Sequence, residues 1–167
     1  VLHNDRYMIY YGQTPDLLTP DYLLLPQQDE DIYGINKLGD VDGDGFGDMG
    51  IYYESGFVLG FDILWGGIYN RQAIYSNPNV ANYPNGIDGI GDINNDGYDD
   101  FTIGYANGGD DISSYTVTLY YGNQDRVYVS PWVLTLTSHQ ITCISKAMGD
   151  INADGYDDFL GYVDYQG

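Results

Sequence analysis

The chain has 167 residues, 43 % of them hydrophobic, and sets 25 Asp and Glu against five Lys and Arg for a formal net charge of −20. That length and apolar content suffice for one folded core, and nineteen Tyr argue against a disordered acidic tail. So few cations exclude the phosphate neutralisation on which binding to nucleic acid or an anionic membrane depends, and no apolar run reaches the ~20 residues of a membrane-spanning helix.

In chain order, the first predicted strand covers residues 6–11 and ends in Ile9-Tyr-Tyr-Gly12; a less regular strand follows at 21–25. Next comes an acidic loop, Gly39-Asp-Val-Asp-Gly-Asp-Gly-Phe-Gly-Asp48. After it stand an apolar strand at 49–53, an aromatic strand ending in Leu64-Trp-Gly66, and a further strand at 72–75. The series then repeats. Gly91-Asp-Ile-Asn-Asn-Asp-Gly-Tyr-Asp-Asp100 leads to strands at 101–105, at Leu119-Tyr-Tyr-Gly122 and at 132–137. Gly149-Asp-Ile-Asn-Ala-Asp-Gly-Tyr-Asp-Asp158 leads to a last strand at 159–163.

Counted from the first Asp of each loop, side-chain oxygens fall at positions 1, 3, 5 and 9, with Gly at 6 and an aromatic residue at 7 that can offer only its carbonyl. Hard cations such as Ca²⁺ take six to eight oxygen ligands, and alternating Asp and Asn supply them where a Gly lets the backbone turn round the ion. Three calcium ions are therefore expected. The first takes Asp40, Asp42, Asp44, Asp48 and the Phe46 carbonyl, and the second takes Asp92, Asn94, Asp96, Asp100 and the Tyr98 carbonyl. The third takes Asp150, Asn152, Asp154, Asp158 and the Tyr156 carbonyl. Four carboxylates against three make the first site the tightest expected. Asp99 and Asp157, at position 8, are expected to face solvent. With every slot filled from the protein the ions read as structural, since a catalytic ion keeps an open position.

An EF-hand is excluded, because it needs a bidentate Glu at position 12 and flanking helices; Ile51, Ile103 and Gly161 stand there, and β-forming residues follow each loop. The first Asps, at 40, 92 and 150, recur at intervals of 52 and 58 residues, a period that signals an array of supersecondary units. From each aromatic-Gly pair to the next loop the spacing is 28, 26 and 28 residues. The expected fold is all-β. Each unit is a β-propeller blade of four antiparallel strands, with the calcium loop between its first and second strands. The chain divides into a half-blade at 1–32, blades at 33–76 and 83–137, and a half-blade at 141–167.

This pattern of loop, apolar strand and aromatic strand ending in Gly resembles the FG-GAP or VCBS-type repeat, and is similar to the calcium-bearing blades of integrin α-subunit propellers and of secreted bacterial propellers. The Gly-Ala-Pro piece of that repeat does not follow Ile51 or Ile103, where Tyr52-Tyr-Glu and Gly104-Tyr-Ala stand instead. The resemblance implies an extracellular adhesion or recognition scaffold for protein or carbohydrate ligands. An alternative is the propeller portion of a secreted carbohydrate-active enzyme. Another is a self-assembling subunit joined through its half-blades, for which completion by further polypeptide or a second copy is expected.

The remaining chemistry-bearing residues add little. No catalytic residue or organic cofactor is assigned: His3 and His139 are far apart, Ser138 and His139 are adjacent, and no nucleophile elbow occurs. Cys143 reads as a small apolar residue, and Trp65 and Trp132 as packing. The adjacent pairs Tyr10 and Tyr11, Tyr52 and Tyr53, and Tyr120 and Tyr121 put one ring on each face of a strand. Half of these rings then serve the core, and the rest are candidates for a contact surface.

Overall fold

A computed structural model describes residues 6–12, 19–27, 29–56, 58–77, 82–107, 114–128, 132–136 and 144–162. Within them the protein is all-β, with twelve strands in four antiparallel sheets. The first sheet pairs β1 (Tyr7–Ile9) with β2 (Tyr22–Leu24). The second is an up-and-down meander of β3 (Glu30–Gly39), β4 (Asp48–Ser55), β5 (Val58–Leu64) and β6 (Arg71–Asn77). The third repeats it with β7 (Asn82–Gly91), β8 (Asp100–Asn107), β9 (Ser114–Tyr120) and β10 (Trp132–Leu136). The fourth pairs β11 (Ile144–Gly149) with β12 (Asp158–Tyr162). Among the described residues no helix is long and apolar enough to cross a membrane.

Repetition extends to irregularities of the ladder. The register slips between Lys37 and Gly39 just before the first loop, between Gly89 and Gly91 before the second, and between Ala147 and Gly149 before the third. A further slip between Ile32 and Gly34 matches one between Pro84 and Gly86. Such bulges bend a strand and re-aim the chain that follows; here they turn the ends of β3, β7 and β11 into the acidic loops.

The sheets stack in chain order. Leu24, Ile51 and Leu64, with Tyr7, Ile9 and Tyr22 against them, join the first sheet to the second. Phe61, Ile63, Trp65, Ile87, Phe101 and Ile103, all essentially inaccessible to water, join the second to the third. Burying each such side chain contributes about 1.5–3 kcal/mol. The Tyr pairs divide as period-two alternation requires: Tyr52 packs into the larger cluster, whereas Tyr53 packs into the smaller one on the other face of β4. Tyr120 is buried and Tyr121 exposed; Tyr10 and Tyr11 are both exposed. Trp65 is fully buried. The side chain of Trp132, and residues His3, Ser138, His139 and Cys143, lie outside what is described.

One charge cluster sits inside the second sheet. Arg71 reaches Glu30 with two nitrogens, at 3.0 and 2.6 Å, and Asp62 with two, at 3.0 and 2.6 Å, while the Tyr53 hydroxyl donates to the other Asp62 oxygen at 3.0 Å. The three side chains are nearly dry, at 11 %, 1 % and 4 % exposure for Arg71, Glu30 and Asp62. Removing one partner of a buried ion pair strands the other charge. Arg71→Ala is expected to cost about 3–5 kcal/mol in urea denaturation; a loss below about 1 kcal/mol would show the carboxylates to be solvated.

Candidate metal centre

The three loops share one backbone path. Position 4 is left-handed in each, with φ of 72° at Gly43, 57° at Asn95 and 61° at Ala153, and position 6 has φ of 90°, 93° and 93° at Gly45, Gly97 and Gly155. The second value is one that Gly adopts without steric cost. Within this path the position-1 carboxylate accepts from the position-6 N–H: Asp40 from Gly45 at 3.0 Å, Asp92 from Gly97 at 2.8 Å, and Asp150 from Gly155 at 2.9 Å. Position 3 accepts from the N–H at 5, and position 5 from the N–H at 7, in all three loops at 2.9–3.1 Å. Short oxygen-bearing side chains bonded to the backbone two residues on are the physical reason for Asp and Asn at these positions. The Gly155 N–H, followed by other loop amides, holds the exposed Asp150 carboxyl below its ordinary range.

Position 9 closes each loop. Asp48 accepts from the Val41 N–H at 2.9 Å and, through its other oxygen, from the Gly66 N–H at 2.8 Å. Asp100 does the same with Ile93 at 3.0 Å and Gly122 at 2.9 Å, and Asp158 accepts from Ile151 at 3.0 Å. Gly66 and Gly122 are the glycines of the aromatic-Gly pairs, and their role is close approach. A Cβ on Gly122 would lie 2.6 Å from the Val41 carbonyl oxygen and 2.7 Å from Tyr98 Cβ; one on Gly66 would lie 2.8 Å from Phe46 Cβ. Burial pushes the Asp48 carboxyl up to about 6 and that of Asp100 up to about 7, against the opposing pull of these N–H donors.

Asp99 and Asp157 do not face solvent, contrary to the expectation from sequence. Asp99 accepts from the Asp40 N–H at 2.7 Å, and Asp157 from the Asp92 N–H at 3.1 Å. Their own N–H groups return bonds to the Asp40 and Asp92 carbonyls at 3.0 and 3.1 Å. Position 8 therefore staples each of these loops to the loop before it. Burial raises the Asp99 carboxyl above its ordinary range. The sequence held a signal for this, since Asp stands at position 8 in the second and third loops whereas the first has Gly47.

Asp40, Asp42 and Asp48 bring carboxylate oxygens within 4.8 Å of one another, a buried acidic triad able to hold a metal ion. Two buried side-chain polar atoms are without a hydrogen-bond partner among the described residues, Asp40 Oδ1 and the Tyr128 hydroxyl. The first belongs to the triad, whereas the Tyr128 ring packs against Trp65 and Phe101. A buried, unbonded carboxylate oxygen is costly, and a cation held there would satisfy it. Asp44 and the exposed Phe46 belong to the same loop. Asp96, Asn94 and Tyr98, and Asp154, Asn152 and Tyr156, hold the equivalent positions in the other two.

The sequence reading missed one residue that reaches the first loop from elsewhere in the chain. Arg126, in the turn after β9, donates through Nε to Asp42 Oδ2 at 2.6 Å, pairs with the same oxygen through Nη2, and lies 3.7 Å from Asp44 Oδ2. Its guanidinium sits 4.3 Å above the Trp65 ring.

No protein-family model matches this chain, and a search of curated proteins returns no match.

Asp48 and Asp100 have folded values above the 3.8 of an unhindered aspartate, so in metal-free protein each favours the fold when protonated. That contribution is complete below pH ~4 and is lost as pH rises through about 6 and 7. In chelator the urea midpoint is expected to fall between about pH 5 and about pH 7.5; a midpoint that climbs over this window would contradict the assignment. Gly122→Ala forces a methyl group against two backbone oxygens. It is expected to cost about 1–3 kcal/mol, read by thermal denaturation, and no shift would mean the loop and β9 are not in contact.

Proposed function

We propose that the four sheets are successive blades, two of them half-blades, of a calcium-stabilised β-propeller of the FG-GAP or VCBS type, with one Ca²⁺ in each acidic loop. The observation that carries this reading is the threefold recurrence of one loop geometry, joined in the first loop by the gathering of Asp40, Asp42 and Asp48 and by the unbonded Oδ1 of Asp40. Hydrogen bonds from loop amides hold the Asp and Asn side chains, and such preorganisation lowers the ordering cost of binding. The Asp side chains at positions 1, 3, 5 and 9, or Asn at 3, would supply the hard oxygens that calcium requires. The ions would offset part of the repulsion among ten ligand carboxylates and, in the second and third sheets, would stiffen the corner that Asp48 and Asp100 tie together.

In this reading the protein is a non-enzymatic, extracellular scaffold for protein or carbohydrate ligands. Calcium sites of extracellular modules fill at about 10⁻⁴–10⁻³ M, far above cytosolic levels. The exposed rings of Tyr10, Tyr11 and Tyr121 combine a flat apolar face with a polar tip, the composition of a ligand-contact surface. Self-association through the half-blades draws support from Met8 and Leu23 on the first sheet and from Phe159 and Leu160 on the fourth, all exposed apolar side chains on two-stranded sheets.

Calcium titration of the intact chain tests the reading. An ion that binds only the folded state stabilises it by RT ln(1 + [Ca²⁺]/Kd), about 1.4 kcal/mol per site at tenfold excess and roughly 4 kcal/mol for three independent sites. Chelator should lower the Tm accordingly, and Asp44→Ala and Asp96→Ala should each remove about one site's share. A Tm indifferent to chelator would refute the structural role of calcium.

A further inference from the structure

The first loop departs from the others at position 3, where Asp42 stands in place of Asn94 and Asn152. In the second and third loops the amide does two things. Its oxygen accepts from the N–H at position 5, at 3.0 and 2.9 Å, and its nitrogen donates to the position-5 carboxylate, at 2.9 and 3.0 Å. Asp42 keeps the first bond, accepting from the Asp44 N–H at 3.1 Å. A carboxylate offers acceptors only, so it cannot make the second, and Asp42 and Asp44 would meet as two like charges.

Arg126 stands where the missing amide donor would be. Its bonds to Asp42 Oδ2 and its approach to Asp44 Oδ2 bridge the two carboxylates. The guanidinium is fixed by its stack on Trp65, and the Arg126 carbonyl accepts from Gln72 Nε2 at 3.0 Å, while Trp65 Nε1 donates to Gln72 Oε1 at 3.2 Å. The Arg126 backbone is left-handed, with φ of 55°, a conformation that a non-Gly residue keeps only when its surroundings hold it. Counting Arg126, the four ligand carboxylates of the first loop leave three uncompensated. Asp92, Asp96 and Asp100 give the second loop the same number, and Asp150, Asp154 and Asp158 the third.

We infer that Arg126 is the resident counter-cation of the first loop, replacing the amide between Asp42 and Asp44 and holding that loop's affinity for a divalent cation down to the level of its neighbours. The second half of this statement rests on the calcium reading above; the first half does not. A divalent ion drawn to Asp40, Asp42 and Asp48 meets a fixed positive charge on Asp42, and the two repel.

The test is calorimetric titration of Ca²⁺ into the intact chain at fixed salt, for the wild type, Arg126→Gln, Arg126→Lys, and Arg126→Gln combined with Asp42→Asn. Arg126→Gln is expected to tighten one site about tenfold or more and leave the other two unchanged. Adding Asp42→Asn should return that site to the wild-type range, and Arg126→Lys, which keeps the charge, should stay near wild type. Three unchanged sites in Arg126→Gln, or one weakened, would overturn the inference. In chelator, Arg126→Gln should lower the Tm, and adding Asp42→Asn should recover part of the loss; additive effects would refute the pairing itself. A wild type that binds no calcium while this coupling persists would sink the calcium reading, and the affinity claim with it, but leave Arg126 as the partner of Asp42.

Discussion

Asp48 and Asp100 hold together parts of the chain that the strand ladders alone leave separate. Each carboxylate accepts from the second residue of its own loop and from the glycine just beyond the third strand of its sheet, and itself begins the second strand. Three segments thus meet on one side chain. These are among the most deeply buried side chains of the protein, at 1 % and 0 % exposure. Burying a carboxylate is unfavourable unless hydrogen bonds or counter-charge answer it. The loop amides answer in part, and the raised values of both groups show that burial still prevails over them. In the first loop Asp40 and Asp42 bring carboxylate oxygens within 4.8 Å of Asp48, so the geometry of that acidic centre follows from the corner that position 9 fixes.

Charge is handled locally, and differently in each place. Inside the second sheet, Arg71 joins Glu30 and Asp62 in a dry cluster. On the third sheet, Asp88 pairs with Lys146 of the fourth at 2.5 Å, so an ion pair crosses between sheets. In the loops, backbone N–H groups carry most of the burden. A chain with so few basic residues therefore spends three of them, Arg71, Arg126 and Lys146, on specific carboxylates. The net charge of −20 is an accumulation of separately solved sites more than a uniform acidic surface.

Much of this was legible in the sequence. Strands expected at 49–53 and 101–105 lie within β4 and β8, and that at 72–75 within β6; those at 132–137 and 159–163 overlap β10 and β12, their last residues lying outside what is described. Loop signals are local, with Gly at position 6 and Asp or Asn at 1, 3 and 5 acting within a few residues, and local rules survive reading one residue at a time. What was not legible acts between repeats. Asp99 binds a residue 59 positions earlier and Asp157 one 65 earlier, while Arg126 reaches back 84 positions to Asp42. Nothing in the neighbourhood of these residues announces such partners; only comparison of the repeats with one another, position by position, brings out Gly47 against Asp99 and Asp42 against Asn94.

The position-8 staples give the array a grammar. Each such carboxylate serves the loop behind it and never its own, so a repeat is defined partly by its successor. A repeat bearing Asp at that position can follow any of the three, because the N–H it seeks belongs to the invariant first Asp of the motif. One bearing Gly, like the repeat that contains Gly47, would break the sentence if transplanted downstream, since the amide of the preceding first Asp would lose its acceptor. Duplication, shuffling or design of these units is thus ordered rather than free.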